Sequence, residues 1–263
     1  MAIIKNNFLV GVLGSLIFKV VNGEQVVTTK KQKGTTKQSV ATVAVSKTYG
    51  LASKFASEMM QSHEQNLNKM QDGSMFSRLT PLLFKKLDEA WDPARQRFEV
   101  DRMDFTSMAG FAYNIKSALH KNMNANTIVK LTSGRLQITF DQGPLKTPIK
   151  FPRGAASCEL TVAIVLFRLE DGLKTKVVIS QDQWIYRHQD EIELESFQFE
   201  VPQGCLCMVS TFLHFYAYRK NYLISMNTKN FNPAAIAAVL FIQESEVPLN
   251  KYKWVNMPGL KFS

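Results

Sequence analysis

The sequence predicts an α+β chain: an N-terminal β-hairpin arm, a helical middle section and a C-terminal antiparallel β-sandwich of the Ig-like kind. Three observations predict it. Residues 16–31 read LIFKVV-NG-EQVVTTKK, two β-prone runs joined by Asn22-Gly23. Asn-Gly is the pair that best tolerates positive φ at both centres of a type I′ turn. The next part of the chain carries apolar residues at helical spacing, and from residue 126 the pattern changes to alternation or continuous apolar runs. About seven such runs follow, the number expected of a sandwich. The predicted sections are 1–35, 36–125 and 126–263.

The arm begins with a glycine-punctuated approach, Gly11 and Gly14, and leaves the hairpin through KKQKGTTK. A hairpin alone is marginal in water, so this one must dock on something. Thr35 or Thr36 is placed to cap a first helix running to about Leu67. Its stripe is Val40, Ala44, Leu51, Phe55, Ala56 and Met59, with Lys37, Lys47, Lys54 and Glu58 off it and Gly50 weakening the middle. A second helix is predicted over 74–91, capped by Ser74, interrupted at Pro81 and ended by Asp92-Pro93. A third is predicted over 102–121 from Met103, Phe105, Met108, Phe111, Ile115 and Leu119. The predicted strands are IVKL, RLQITF, ELTVAIVLFRL, KVVI, LESFQFEV, CLCMVSTFLHFYAY and AAIAAVLFIQ, separated by Gly-, Pro-, Asp- and Asn-containing turns. No fixed-period repeat occurs.

Composition bounds the function classes. Apolar residues make up 45% of the 263 and Phe alone accounts for 18, which supports a sizeable core and argues against global disorder. A net charge of +10, from 32 basic and 22 acidic side chains, favours anionic partners: nucleic acid, an acidic protein surface or a membrane surface. Cys158, Cys205 and Cys207 are an odd set with a C-x-C in a predicted strand, so they read as small buried hydrophobes sharing a face and point to a reducing compartment. Lys5 followed by FLVGVLGSLIF imitates a signal peptide. Gly11, Gly14 and Lys19 break it, and no small-x-small cleavage site stands out. No run reaches the ~20 apolar residues of a membrane span. A cytoplasmic or virion location is expected.

The order of features resembles a family of uncharacterised proteins of similar length from Bacteroidota or their phages. The resemblance rests on the G-x-x-G lead-in, the Phe18 strand, Asn-Gly, the basic exit, a Thr/Gln-started helix with Phe55, and a β-rich half closing on AAIAAVLFIQESEVPLNKY. Family members more often carry an arginine where this chain has Lys30, Lys31 and Lys33. The resemblance implies the domain layout and no mechanism.

No H-E-x-x-H, G-x-S-x-G or P-loop pattern occurs. His188 beside Asp190, Glu191 and Glu193 reads as a charged inter-strand loop, and His214 as a strand histidine with a local partner. Neither a catalytic residue, a metal ligand nor a cofactor is expected, and the chain reads as a non-enzyme. The apolar arm is the main candidate: Leu13, Leu16, Ile17, Phe18, Val20, Val26 and Val27 for assembly with further copies of the chain into a filament, tube or shell. Lys19, Lys30, Lys31, Lys33 and Lys37 are candidates for anion or nucleic-acid contact, which is the alternative function. Within YAYRKNY at 216–222, Tyr216, Tyr218 and Tyr222 with Arg219 and Lys220 suit base stacking better than the arm does.

Overall fold

The computed structural model describes residues 2–30, 39–100, 103–141, 143, 146–220, 222–260 and 262. The chain divides into two compact units, Met1–Ser46 and Lys47–Ser263.

The first unit holds an antiparallel meander of four strands, β1 (Ala2–Lys5), β2 (Phe8–Leu13), β3 (Leu16–Val21) and β4 (Glu24–Thr29). Three two-residue turns join them, each carried by residues that accept left-handed backbone. Asn6 and Asn7 are at φ 50° and 65°, Gly14 is at 60°, and Asn22 and Gly23 are at 52° and 84°. The Asn22-Gly23 turn therefore forms as predicted, between β3 and β4. The glycine-punctuated approach does not: residues 2–13 are two further strands, with Gly14-Ser15 as their second turn. The hairpin docks on β2 through the pairs Gly11–Phe18, Val12–Ile17 and Leu13–Leu16.

The second unit has three helices first. Helix α1 (Val40–Ser62) enters it from the first unit and is followed by α2 (Glu64–Leu67) and α3 (Met75–Glu89). The predicted first helix is thus broken at His63, and its predicted start at Thr35 or Thr36 lies outside the described residues. Pro81 leaves α3 unbroken. Ser74 stands at the predicted cap position, but its side chain makes no capping bond: its N–H and hydroxyl donate instead to Asp72 Oδ1, at 2.7 and 2.6 Å. A small hairpin follows, β5 (Trp91–Asp92) and β6 (Arg97–Phe98).

The predicted helix over 102–121 is overturned. That stretch contains short 3₁₀ turns at Thr106–Met108 and Ile115–Ser117, then a single turn α4 (Leu119–Asn122). Its backbone groups are satisfied by a distant strand: Gly110 N–H donates to the Ile236 carbonyl, Ile236 N–H to the Phe111 carbonyl, and Tyr113 N–H to the Ala234 carbonyl. Once a sheet edge takes those groups, the i→i−4 ladder is lost. Met103, Phe105, Met108 and Phe111 are apolar because the segment is tucked into the core.

Strands complete the unit: β7 (Asn126–Thr132), β8 (Arg135–Asp141), β9 (Ser157–Arg168), β10 (Leu173–Thr175), β11 (Ile179–Tyr186), β12 (Phe197–Glu200), β13 (Leu206–Arg219), β14 (Tyr222–Ser225), β15 (Ala234–Phe241) and β16 (Trp254–Asn256). The run predicted as KVVI is displaced: only its Ile179 belongs to a strand, which continues to Tyr186. The result is a mixed α+β body dominated by a large antiparallel sheet. Its spine is the pair β9–β13, in continuous register from Phe167–Leu206 to Ser157–Tyr216. Strands β10 and β11 lie along the far edge of β9, and β14 and β15 along that of β13.

Both faces of that sheet are covered over most of its length, so β9 reads as an unbroken apolar run. One face, with Ala163, Val165, Phe167, Met208 and Phe212, shares a core with Phe55, Met59, Leu79 and Leu83 of the helices. The Phe55 and Phe167 rings meet edge-on at 5.3 Å. The opposite face, with Leu160, Val162, Val209 and Leu213, shares a second core with Leu136, Ile138, Phe197 and Phe199. Those last four come from a three-stranded sheet ordered β12-β8-β7, whose alternate residues Arg135, Gln137, Gln198 and Glu200 point outward. Helices, large sheet and small sheet make three layers.

Candidate functional site

The first unit presents apolar residues on both faces of its sheet. Pairs directly opposite in an antiparallel ladder share a face, as do residues two apart along a strand. From the pairs Gly11–Phe18 and Phe18–Val27, one face carries Leu13, Leu16, Phe18, Val20 and Val27. From Val12–Ile17 and Lys19–Val26, the other carries Val12, Ile17 and Val26, with Lys19 among them. The seven residues predicted for assembly thus divide five and two between the faces. No described residue of the four strands is buried; Val20 is 40% exposed, Val27 48% and Leu13 58%. Gln25 stiffens the sheet where β2 and β3 separate, accepting from Leu9 N–H and donating to the Leu9 carbonyl, each at 2.9 Å. Neither outer edge, β1 nor β4, has a partner strand among the described residues.

The basic candidates are less concentrated. Lys19 points to the face opposite Phe18, and Lys30 is exposed just after β4, its N–H donating to the Ser15 carbonyl at 2.6 Å. Lys31, Lys33 and Lys37 lie outside the described residues. The YAYRKNY segment forms the end of β13 and the start of β14, and it divides. Tyr216 and Tyr218 share one face with Leu223, while Tyr222 stands opposite Arg219 on the other.

A few titratable groups of the second unit are sequestered. Cys158, Cys205 and Cys207 are unpaired, buried and on the same face of the large sheet. Burial pushes the Cys205 thiol up to about 12, and the other two also rise through burial. All three stay protonated at neutral pH, which removes them as nucleophiles. No group of three or more His, Cys, Asp or Glu suited to a metal occurs among the described residues. His188 is exposed in the turn after β11 and its ring lies 5.7 Å from that of Tyr186.

His63, which sequence reasoning passed over, sits in the break between α1 and α2, wholly buried. Its Nε2 is 3.1 Å from Ser210 Oγ, which in turn lies 2.7 Å from the Tyr113 hydroxyl. Burial, and then the charge of Lys174, hold its pKa down to about 3, so the imidazole is neutral. Its Nδ1 has no partner among the described residues. The three groups imitate a nucleophile–base pair, yet all are sealed from solvent between helices and sheet. Their arrangement locks the helix break onto β13.

Among the described residues no helix is long and apolar enough to cross a membrane. No family model matches the chain, and no curated protein or solved structure is significantly similar to it.

Proposed function

We propose that the chain is a non-enzymatic structural subunit that self-assembles, as a filament, tube or phage-like shell, through the sheet of its first unit. One observation carries this reading: a four-stranded sheet with apolar side chains on both faces and none of them buried. Soluble proteins rarely leave such a surface uncovered, and open edges add a row of unpaired backbone groups. A second copy satisfies both needs. Pairing β4 of one copy with β1 of the next is head-to-tail, and such a contact propagates into rings or filaments.

Magnitudes fit assembly by repetition. Burying Leu13, Leu16, Phe18, Val20 and Val27 contributes roughly 2 kcal/mol each, about 10 together. Association itself costs ~4–15 kcal/mol. A single contact is therefore weak, and stability accrues from many. In this reading the second unit, an Ig-like sandwich with helices on one face, forms the wall of the assembly, in the cytoplasm or a virion. Lys19, Lys30, Lys31, Lys33 and Lys37 meet an acidic surface or packaged nucleic acid.

Light scattering and negative-stain microscopy of the full chain at low and high salt test this reading. Regular assemblies that persist in high salt are expected, and a Val20→Glu/Val27→Glu double variant should remain as single folded subunits. A wild-type chain that is monomeric at both salts overturns it. If that monomer is retained on nucleic acid in a salt-sensitive way, binding through the lysine set becomes the better reading.

A further inference from the structure

The large sheet runs past its helical cover. Along β9 and β13, the helix-facing side is buried from Phe167 and Leu206 as far as Thr161 and Phe212. The last covering contact is at His214, whose Nε2–H donates to the Asn66 carbonyl of α2 at 2.8 Å. Beyond it the same face continues across β11, β9 and β13, and its register is fixed by the pairs Trp184–Glu159–His214 and Tyr186–Ser157–Tyr216. Tyr218 follows on that face. Trp184, Tyr186 and Tyr218 are exposed, Tyr218 at 61%.

Four aromatic residues thus line one bare end of a rigid sheet. The Trp184 and Tyr216 rings are 5.1 Å apart and inclined at 34°. Between them in register, the Tyr216 hydroxyl donates to Glu159 Oε2 at 2.8 Å, and His214 Nδ1 lies 3.7 Å from the same oxygen. Asp182 is exposed on the same face, two residues before Trp184. Ser157, between Tyr186 and Tyr216, is wholly buried, and its Oγ has no partner among the described residues.

We infer that this shelf binds a neutral oligosaccharide, with Trp184 and Tyr218 stacking on sugar rings and Asp182 and Glu159 taking hydroxyl hydrogen bonds. Three features select that chemistry. At the uncovered end of this face the strand positions of β11, β9 and β13 carry two carboxylates, Asp182 and Glu159, and neither lysine nor arginine, which disfavours a phosphate backbone although the whole chain is basic. Trp184 and Tyr216 touch one another, forming a shelf without the enclosed gap that an organic cation needs between rings. Glu159 already accepts from Tyr216, so its remaining capacity suits a neutral donor. What remains is a ligand with a C–H face for the negative ring faces and hydroxyls for the carboxylates, which describes a pyranose chain. Strands β11 to β13 span about 10 Å, room for two sugar rings.

The test titrates the full chain with cello-, xylo-, manno- and chitohexaose, following tryptophan fluorescence and heat. Trp184→Ala and Tyr218→Ala, both at exposed positions, should each weaken binding by about tenfold, while Trp91→Phe leaves it unchanged. Absence of binding to every neutral sugar overturns the inference. So does binding that Trp184→Ala and Tyr218→Ala leave intact, or a response to tetramethylammonium or oligo(dT) in place of the sugars. The result is independent of assembly, because the Val20→Glu/Val27→Glu subunit keeps this face.

Discussion

His63 shows how a single buried group ties stability to pH. Its folded pKa of about 3 lies far below the ordinary 6.5, through burial first and Lys174 second. Between those values the unfolded chain holds a proton that the folded chain refuses. Stability is therefore complete above pH 6.5 and declines as pH falls towards 3, by up to roughly 5 kcal/mol for this residue. Asp72 adds its share lower still. Burial pushes its carboxyl up, but hydrogen bonds from Ser74, Ile115 and Arg78 hold it below the usual carboxylate range. Urea unfolding from about pH 7 to pH 4 should show the decline, and His63→Gln should flatten it. A wild-type chain equally stable across that window would contradict the account.

Turns and strands depend on positions with little freedom. Ser133-Gly134 joins β7 to β8 with both residues at positive φ, 48° and 76°. A side chain on Gly134 would also run into Ser245 Oγ, which donates to the Val201 carbonyl at 2.7 Å. Gly134→Ala should thus cost about 2 kcal/mol, part conformational and part steric. Gly204, at φ 74° with open space around it, supplies the contrast: Gly204→Ala should cost about 1 kcal/mol. Melting temperatures of the two variants separate the contributions, and equal losses would remove the role given to Ser245. The long strands β9 and β13 behave differently. Two covered faces hide their alternation, so their sequences announce burial without announcing which residues face helices and which face the small sheet.

The molecule consists of an apolar four-stranded sheet and a body with two cores. If copies associate through that sheet, mass action stabilises the folded state, and the melting temperature should rise with protein concentration. It should become independent of concentration in the Val20→Glu/Val27→Glu variant. A wild-type melting temperature that never moves with concentration would count against association.

Short-range chemistry made much of this legible from residues alone. The Asn22-Gly23 turn, the alternating RLQITF strand, the FQFE part of the predicted LESFQFEV, the Phe55–Met59 part of a stripe whose Ala44 is exposed, and the shared face of Cys205 and Cys207 depend only on neighbours along the chain. The arm's apolar content is plain from the residues, but its division between two faces needed the register of β2, β3 and β4. The misreadings share a cause. Residues 102–121 have a helical apolar period, but a period records which side chains seek the core and is silent on where the backbone finds its hydrogen bonds. The edge of β15 supplies them, from more than a hundred residues away. Trp184 and Tyr186 alternate visibly around Ile185, yet only the pairing of β11 with β9 sets them beside Tyr216. Local sequence determines period and turn. Which face is covered, and where the cover ends, is decided by partners distant in the chain, because burial and hydrogen bonding are satisfied in space.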